Sequence, residues 1–91
     1  MYNLPVAYDN LPRGERRLVR EQYIEEQKGL CMFCKTDLNV EPVMDKKIKW
    51  DLFPPGFLAH PVHLQHDHNT GLTEGAVHAY CNAVLWQFHG R

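Results

Sequence analysis

The chain has 91 residues and a formal net charge of −1 with neutral histidines, so one small domain is expected and a broadly basic nucleic-acid-coating protein is not. No apolar run approaches the ~18 residues of a membrane-spanning helix, and no membrane partner is expected. The three cysteines are odd in number, which argues against a closed disulfide framework. With no basic-then-apolar start resembling a signal peptide, this points to a cytoplasmic location.

Residues 1–12 carry Pro5 and Pro12, show no periodicity and read as an extended N-terminal arm. From about Arg13 to Gln27, "RGERRLVREQYIEEQ" contains no proline and sets Leu18, Val19, Tyr23 and Ile24 on one side. That spacing predicts a short amphipathic helix with its charges opposite. Arg13, Arg16, Arg17 and Arg20 fall on more than one face of it, so they cannot all meet one partner. "KGL" stops the helix, and "CMFC" follows at once. Residues 36–61 alternate weakly around Ile48 and Trp50 and break at Pro54-Pro55-Gly56; a loop with one short strand is expected. "PVHLQH" reads as a strand, "DHNTGLTEG" as a turn-rich loop and "AVH" as a returning strand, together a small hairpin. "YCNAVLWQFH" reads as a helix with Val84, Leu85 and Phe88 on the core, closed by Gly90. Trp50, Phe53 and Trp86 are expected in the core. The fold class is α+β.

Cys31 and Cys34 are separated by two residues, and so are His78 and Cys81. Two such pairs make a Cys3His set, the donor composition of tetrahedral structural zinc. A tight turn lets each pair converge on one ion, and the second pair closes the shell, leaving no vacancy for catalysis. A redox Cys pair and buried inert cysteines are the competing readings. No βαβ pattern surrounds the first pair to support redox use, and neither alternative explains why His78 keeps the same spacing to Cys81.

The stretches "EEQKGLCMFC" and "LQHDHNTGLTEGAVHAYCNAVL" together resemble the HNH endonuclease family, most closely its phage recombination endonuclease VII branch. That branch reads as a Cys-x2-Cys knuckle, Asp-His-x-His-x-Thr-Gly, a basic-Gly pair and Cys-x2-Cys-Asn. The resemblance covers roughly residues 22–88, with an unmatched insertion around 40–61. It implies a ββα-metal unit, with residues 13–91 as one zinc-stapled nuclease domain that hydrolyses DNA phosphodiester bonds. His66 would be the general base and Asn82 a ligand of a catalytic Mg²⁺ or Mn²⁺, with position 65 as its second ligand. DNA is the implied partner, and a homodimer is left open.

Three positions depart from the family pattern. The acidic ligand before the base is Gln65; Asp67, two residues on and so on the same side by strand periodicity, is its substitute. The basic residue before glycine is Glu74. The middle Asn is replaced by Thr73, with Asn69 close by. His68 matches the family's second histidine and reads either as a phosphate contact or as a solvated loop residue. His89, seven residues after Asn82, reads as a phosphate contact on the same helix face or as a charge at the helix C-terminus. His60 and His63 are expected to be structural or exposed. Arg13, Arg16, Arg17 and Arg20 are candidate DNA-backbone contacts. The reading from another class is a non-catalytic zinc-knuckle module that binds DNA or a protein partner.

Overall fold

A computed structural model describes residues 1–90; Arg91, the last residue of the expected 13–91 domain, lies outside them. The architecture is α+β, with α1 (Arg13–Glu26), β1 (Val62–His66), β2 (Thr73–His78) and α2 (Ala79–His89). The two strands form one antiparallel hairpin, and α2 follows β2 without a break. No helix among the described residues is long and apolar enough to cross a membrane.

Helix α1 forms where the proline-free run predicts it. Its buried residues are Val19 and Tyr23, while Leu18 is exposed, so the apolar stripe is narrower than the sequence suggests. Helix α2 buries nearly all of its first two turns, Ala79, Tyr80, Cys81, Ala83, Val84 and Leu85. Asn82 and Trp86, four apart and therefore on one face, are left outside the core. Gly90 ends the helix in the left-handed region at φ 68° and donates its N–H to the Leu85 carbonyl, the conformation that glycine adopts without a Cβ penalty.

The returning strand starts at Thr73, three residues earlier than "AVH" implies. It also carries one extra residue, Glu74, because Gln65 pairs with Gly75 and His66 with Thr73. The far edge of β2 is covered from two sides. Thr73 donates its N–H to the Val6 carbonyl (2.8 Å) and Tyr8 donates to the Gly71 carbonyl (2.8 Å). Further along, the Gln27 side chain bonds both the N–H (2.8 Å) and the carbonyl (2.9 Å) of Ala76, as a strand would. These contacts remove an open edge that could template aggregation. Residues 1–12 are therefore not set apart from the domain: Tyr2 also bonds Gln22 and Glu15 on α1.

The Gln27 clamp requires Gly75. A Cβ there would lie 2.7 Å from Gln27 Oε1 and 2.9 Å from Met32 Sδ. Gly75→Ala is expected to lower stability by about 1–3 kcal/mol, the usual cost of overpacking. A denaturant midpoint equal to wild type would show that the clamp yields freely.

The insertion forms no strand over residues 36–61, which hold turns, an isolated bridge from Asp37 to Leu30 and a 3-10 turn over Trp50–Leu52. It is held by backbone bonds to α2 side chains instead. Tyr80 Oη accepts from the Lys46 N–H (2.7 Å), and Gln87 bonds the Lys49 N–H and the Lys47 carbonyl (both 3.0 Å). Trp50 and Trp86 are not core residues, being 41% and 43% exposed. They flank Phe53 in a surface cluster, with ring centroids 5.8 and 5.1 Å from it. Phe88 is also exposed. Two helical turns of α2 already satisfy the small core, so the last turn extends beyond it.

Candidate functional site

Cys31, Cys34, His78 and Cys81 offer four donor atoms within 4.8 Å of one another. The first pair sits on a tight turn in which Cys34 donates its N–H toward Cys31 Sγ and Lys35 donates to the Cys31 carbonyl. Lys35 takes φ 65° to close that turn. The second pair spans the junction of β2 and α2.

His78 is the informative member. Its Nε2 lies 2.9 Å from the carbonyls of both Asp37 and Val40. Carbonyls only accept, so Nε2 carries the proton. Nδ1 is then a lone pair, and it faces Cys34 Sγ at 3.4 Å and Cys81 Sγ at 3.7 Å. A ligating histidine is oriented in the same way, by donating from its distal nitrogen. The thiols are polarised too. A hydrogen bond from Cys81, helped by the N–H groups of Cys34, His78 and Phe33, holds the Cys31 thiol down to about 4. The Cys81 thiol is pushed up by that same partner, by burial and by the neighbouring sulfur charges. One thiolate therefore opposes the next, and a divalent cation would reverse that opposition. The cluster could hold a metal such as zinc.

On another side of the hairpin, β1, α1, α2 and the insertion enclose a cleft of about 490 Å³. His66, His68, Gln65 and Asn82 all line it, as do Arg16 and Arg20. The extra residue Glu74 stands opposite the Gln65–His66 step. Such bulges twist the ladder locally, and here both neighbours reach one cleft. The His66 ring stacks on Tyr8 at 4.0 Å and meets His68 edge-on at 4.7 Å. Among the described residues, no side chain hydrogen-bonds its ring nitrogens. Burial holds the His66 imidazole below the usual histidine range; the His68 and Arg16 charges add to this, while Asp9 and Glu74 oppose it.

His63 was expected to be structural or exposed, yet it lines the same cleft. Its Nε2 lies 2.9 Å from the Phe57 carbonyl, so it carries the proton there. Its Nδ1 then accepts from Asn82 Nδ2 at 3.0 Å. That contact fixes the amide and turns Asn82 Oδ1 away from the imidazole. Burial lowers the His63 pKa, with the Arg20 charge adding, in keeping with a neutral ring. The sequence signal for His63 was its β1 parity with Gln65. Tyr8, by contrast, gives no signal in the arm.

Other expected site residues fall elsewhere. Strand β1 ends at His66, so the parity that would set Asp67 beside Gln65 does not extend to it. The Asp67 carboxylate instead caps its own loop, accepting from the N–H groups of Asn69 (2.7 Å) and Thr70 (3.4 Å). Asp67 does not line the cleft. Thr73 is buried, and its hydroxyl joins Val6 and Tyr23. Gln65 donates to the His66 carbonyl (3.0 Å) and toward Glu74 Oε1 (3.4 Å). Arg17 pairs with Glu21 on the helix surface, and Arg13 is not in the cleft. His89 shares a helix face with Asn82 but lies ~10 Å further along the axis. There its ring meets Phe33 beside the Cys3His cluster.

Compared with protein-family models, with curated proteins and with solved structures, the chain matches none.

Proposed function

We propose that the protein is a metal-dependent DNA endonuclease or nickase of the HNH type, stabilised by a structural zinc on Cys31, Cys34, His78 and Cys81. The observation that carries this reading is one cleft holding His66, His68, Asn82 and Gln65 with two arginines. Phosphodiester hydrolysis needs a base for water, a counter-charge for the phosphate and support for the leaving oxygen. His66 supplies the base, kept neutral near pH 7 by burial and free to accept a proton from water. Arg16 and Arg20 supply positive charge without an acidic partner among the described residues. Asn82 Oδ1, oriented by His63, and Gln65 Oε1 are the atoms that would hold a divalent ion. A bound Mg²⁺ or Mn²⁺ would polarise the phosphate and stabilise the leaving oxygen. The test is plasmid relaxation in Mg²⁺ or Mn²⁺; a protein that leaves the plasmid supercoiled in both metals overturns the reading.

A second reading is a non-catalytic zinc-knuckle module. It is favoured by Gln65, a neutral residue whose amide is engaged with Glu74, and by Asp67, the acid that would replace it, being committed to its loop.

The two readings diverge at Gln65. A carboxylate binds hard cations better than a carboxamide does, so Gln65→Asp is expected to raise nicking in Mg²⁺. Wild type is expected to work better in Mn²⁺, which stands higher in the affinity order for mixed ligands. Asp67→Asn is expected to change metal dependence little and stability more, because it weakens a loop cap. Nicking rate against metal concentration, alongside thermal melts, checks all three. A Gln65→Asp protein slower in both metals would assign position 65 to geometry instead of charge.

His63→Ala is expected to free the Asn82 amide and lower metal affinity or nicking about 10- to 100-fold, the usual scale for groups that orient a ligand. The loss should appear as a higher metal concentration at half-maximal rate. An unchanged metal titration would remove His63 from this role.

A further inference from the structure

The cleft has two unlike walls. Helix α1 contributes Arg16 and Arg20, while the insertion and α2 contribute Phe53, Phe57 and Trp86. The aromatic wall is built deliberately. Phe53 packs against Phe57 at 4.8 Å and against Trp86 at 5.1 Å, both tilted or edge-on. Phe57 in turn meets His63 at 4.7 Å. Trp86 remains 43% exposed and Leu52, at the rim, 54% exposed. The residues that make this wall come largely from the segment 40–61, which the HNH pattern does not account for. A wall of apolar rings beside a hydrolytic centre has no use for phosphate chemistry alone.

From this we infer that the cleft takes a DNA strand whose bases are unpaired, with bases seated on Trp86 and Phe53 and the backbone on Arg16 and Arg20. In a duplex, bases stack on one another and show only their edges in the grooves. Their faces are out of reach of side chains in a cleft. A single strand presents both base faces and backbone charge, and proteins that bind it combine aromatic platforms with a cationic track. The charge is placed to match. Arg17 is paired with Glu21, whereas Arg16 and Arg20 line the cleft with no salt bridge to an acid among the described residues. Arg16 is also held over the Tyr8 ring, 4.1 Å from its centroid, and its buried Nε has no hydrogen-bond partner among the described residues. The cleft volume of about 490 Å³ lies in the range of sites for ligands the size of a nucleotide, roughly 300–1,000 Å³. This inference rests on the nuclease reading for its substrate, DNA, and adds the strand form.

The experiment is fluorescence anisotropy with a labelled thymidine oligonucleotide and with a mixed-sequence duplex of equal length. It is run on the zinc-loaded protein without added Mg²⁺ or Mn²⁺, so that nothing is cut. Single strand is expected to bind tighter than duplex. Trp86→Ala and Phe53→Ala should each weaken single-strand binding about 5- to 150-fold, the span of base–aromatic stacking, and leave duplex binding unchanged. Circular dichroism and zinc content show that each variant is folded. Trp50→Phe leaves one tryptophan, Trp86, whose fluorescence should be quenched on titration with the oligonucleotide. Equal affinity for the two DNA forms, or single-strand binding indifferent to both substitutions, overturns the inference. Plasmid nicking is scored separately. Nicking without single-strand preference defeats this inference and leaves the nuclease standing. Single-strand preference without cleavage of any DNA in Mg²⁺ or Mn²⁺ supports the aromatic wall and defeats the nuclease.

Discussion

Removing the proposed zinc is expected to unfold the domain. The four ligands tie the turn after α1 to the junction of β2 and α2, a connection otherwise made by the Met32 N–H to the Ala76 carbonyl (2.9 Å), the Gln27 clamp and shared core packing. Cys31 and Cys81 are themselves core residues, packed with Val84, Val77 and Leu38. Structural zinc sites of this kind contribute apparent free energies of roughly 10–16 kcal/mol, against roughly 5–15 kcal/mol for the whole stability of an ordinary domain. Without the ion, the hydrogen bond to Cys31, burial and the neighbouring sulfur charge oppose ionisation of Cys81, and the His78 lone pair faces sulfur with no cation between. Chelation should therefore abolish the native circular dichroism and the cooperative melt, and zinc should restore them. Elemental analysis should find about one zinc per chain for a single four-ligand site. Cys81→Ser should behave like the chelated protein. A metal-free preparation that keeps its spectrum and melting point would reduce the cluster to four buried side chains.

His66→Ala is expected to abolish cleavage while the fold and the zinc content persist, because His66 is outside the Cys3His set and half-buried at the cleft wall. Loss of a general base costs about 10²–10⁴ in rate. The pH dependence follows from the direction of its shift. Burial, His68 and Arg16 keep the His66 pKa below the ordinary 6.5, so the ring is neutral and competent at pH 7. Cleavage should be level above about pH 6.5 and fall as pH drops through the lowered value. A divalent ion nearby would push the fall lower still. Stability follows the same sign. The folded His66 and His63 both disfavour protonation, whereas the unfolded chain binds protons at about 6.5. The stabilisation is complete above that value and is lost as pH falls through the folded values. An alanine variant that cuts like wild type would exclude His66 as the base. A rate that rises on acidification would contradict its neutral form.

Much of this was legible in the chain itself. Local rules determined it: the proline-free periodic run gives α1, the Gly90 stop ends α2, and the alternation before a turn gives the hairpin. The repeated two-residue spacing identifies Cys31, Cys34, His78 and Cys81, because ligand convergence on a tight turn depends on neighbours in sequence. What the sequence left undecided were long-range placements. The docking of residues 1–12 depends on Val6 and Tyr8 meeting Thr73 and Gly71, and nothing within the arm encodes that partner. The expected core positions of Trp50, Trp86 and Phe88 failed because hydrophobicity states only that a side chain favours burial, while the core here is filled by α1, the hairpin and two turns of α2. Asp67 was assigned by strand parity, but parity ends where the ladder ends, and a turn gave its carboxylate two backbone N–H groups to cap. The role of His63 was likewise hidden, since its value lies in two contacts, the Phe57 carbonyl and the Asn82 amide, brought to β1 from a loop and from a helix. Sequence periodicity fixes which face of its own element a residue occupies; which other element lies opposite that face is set by how the whole chain packs.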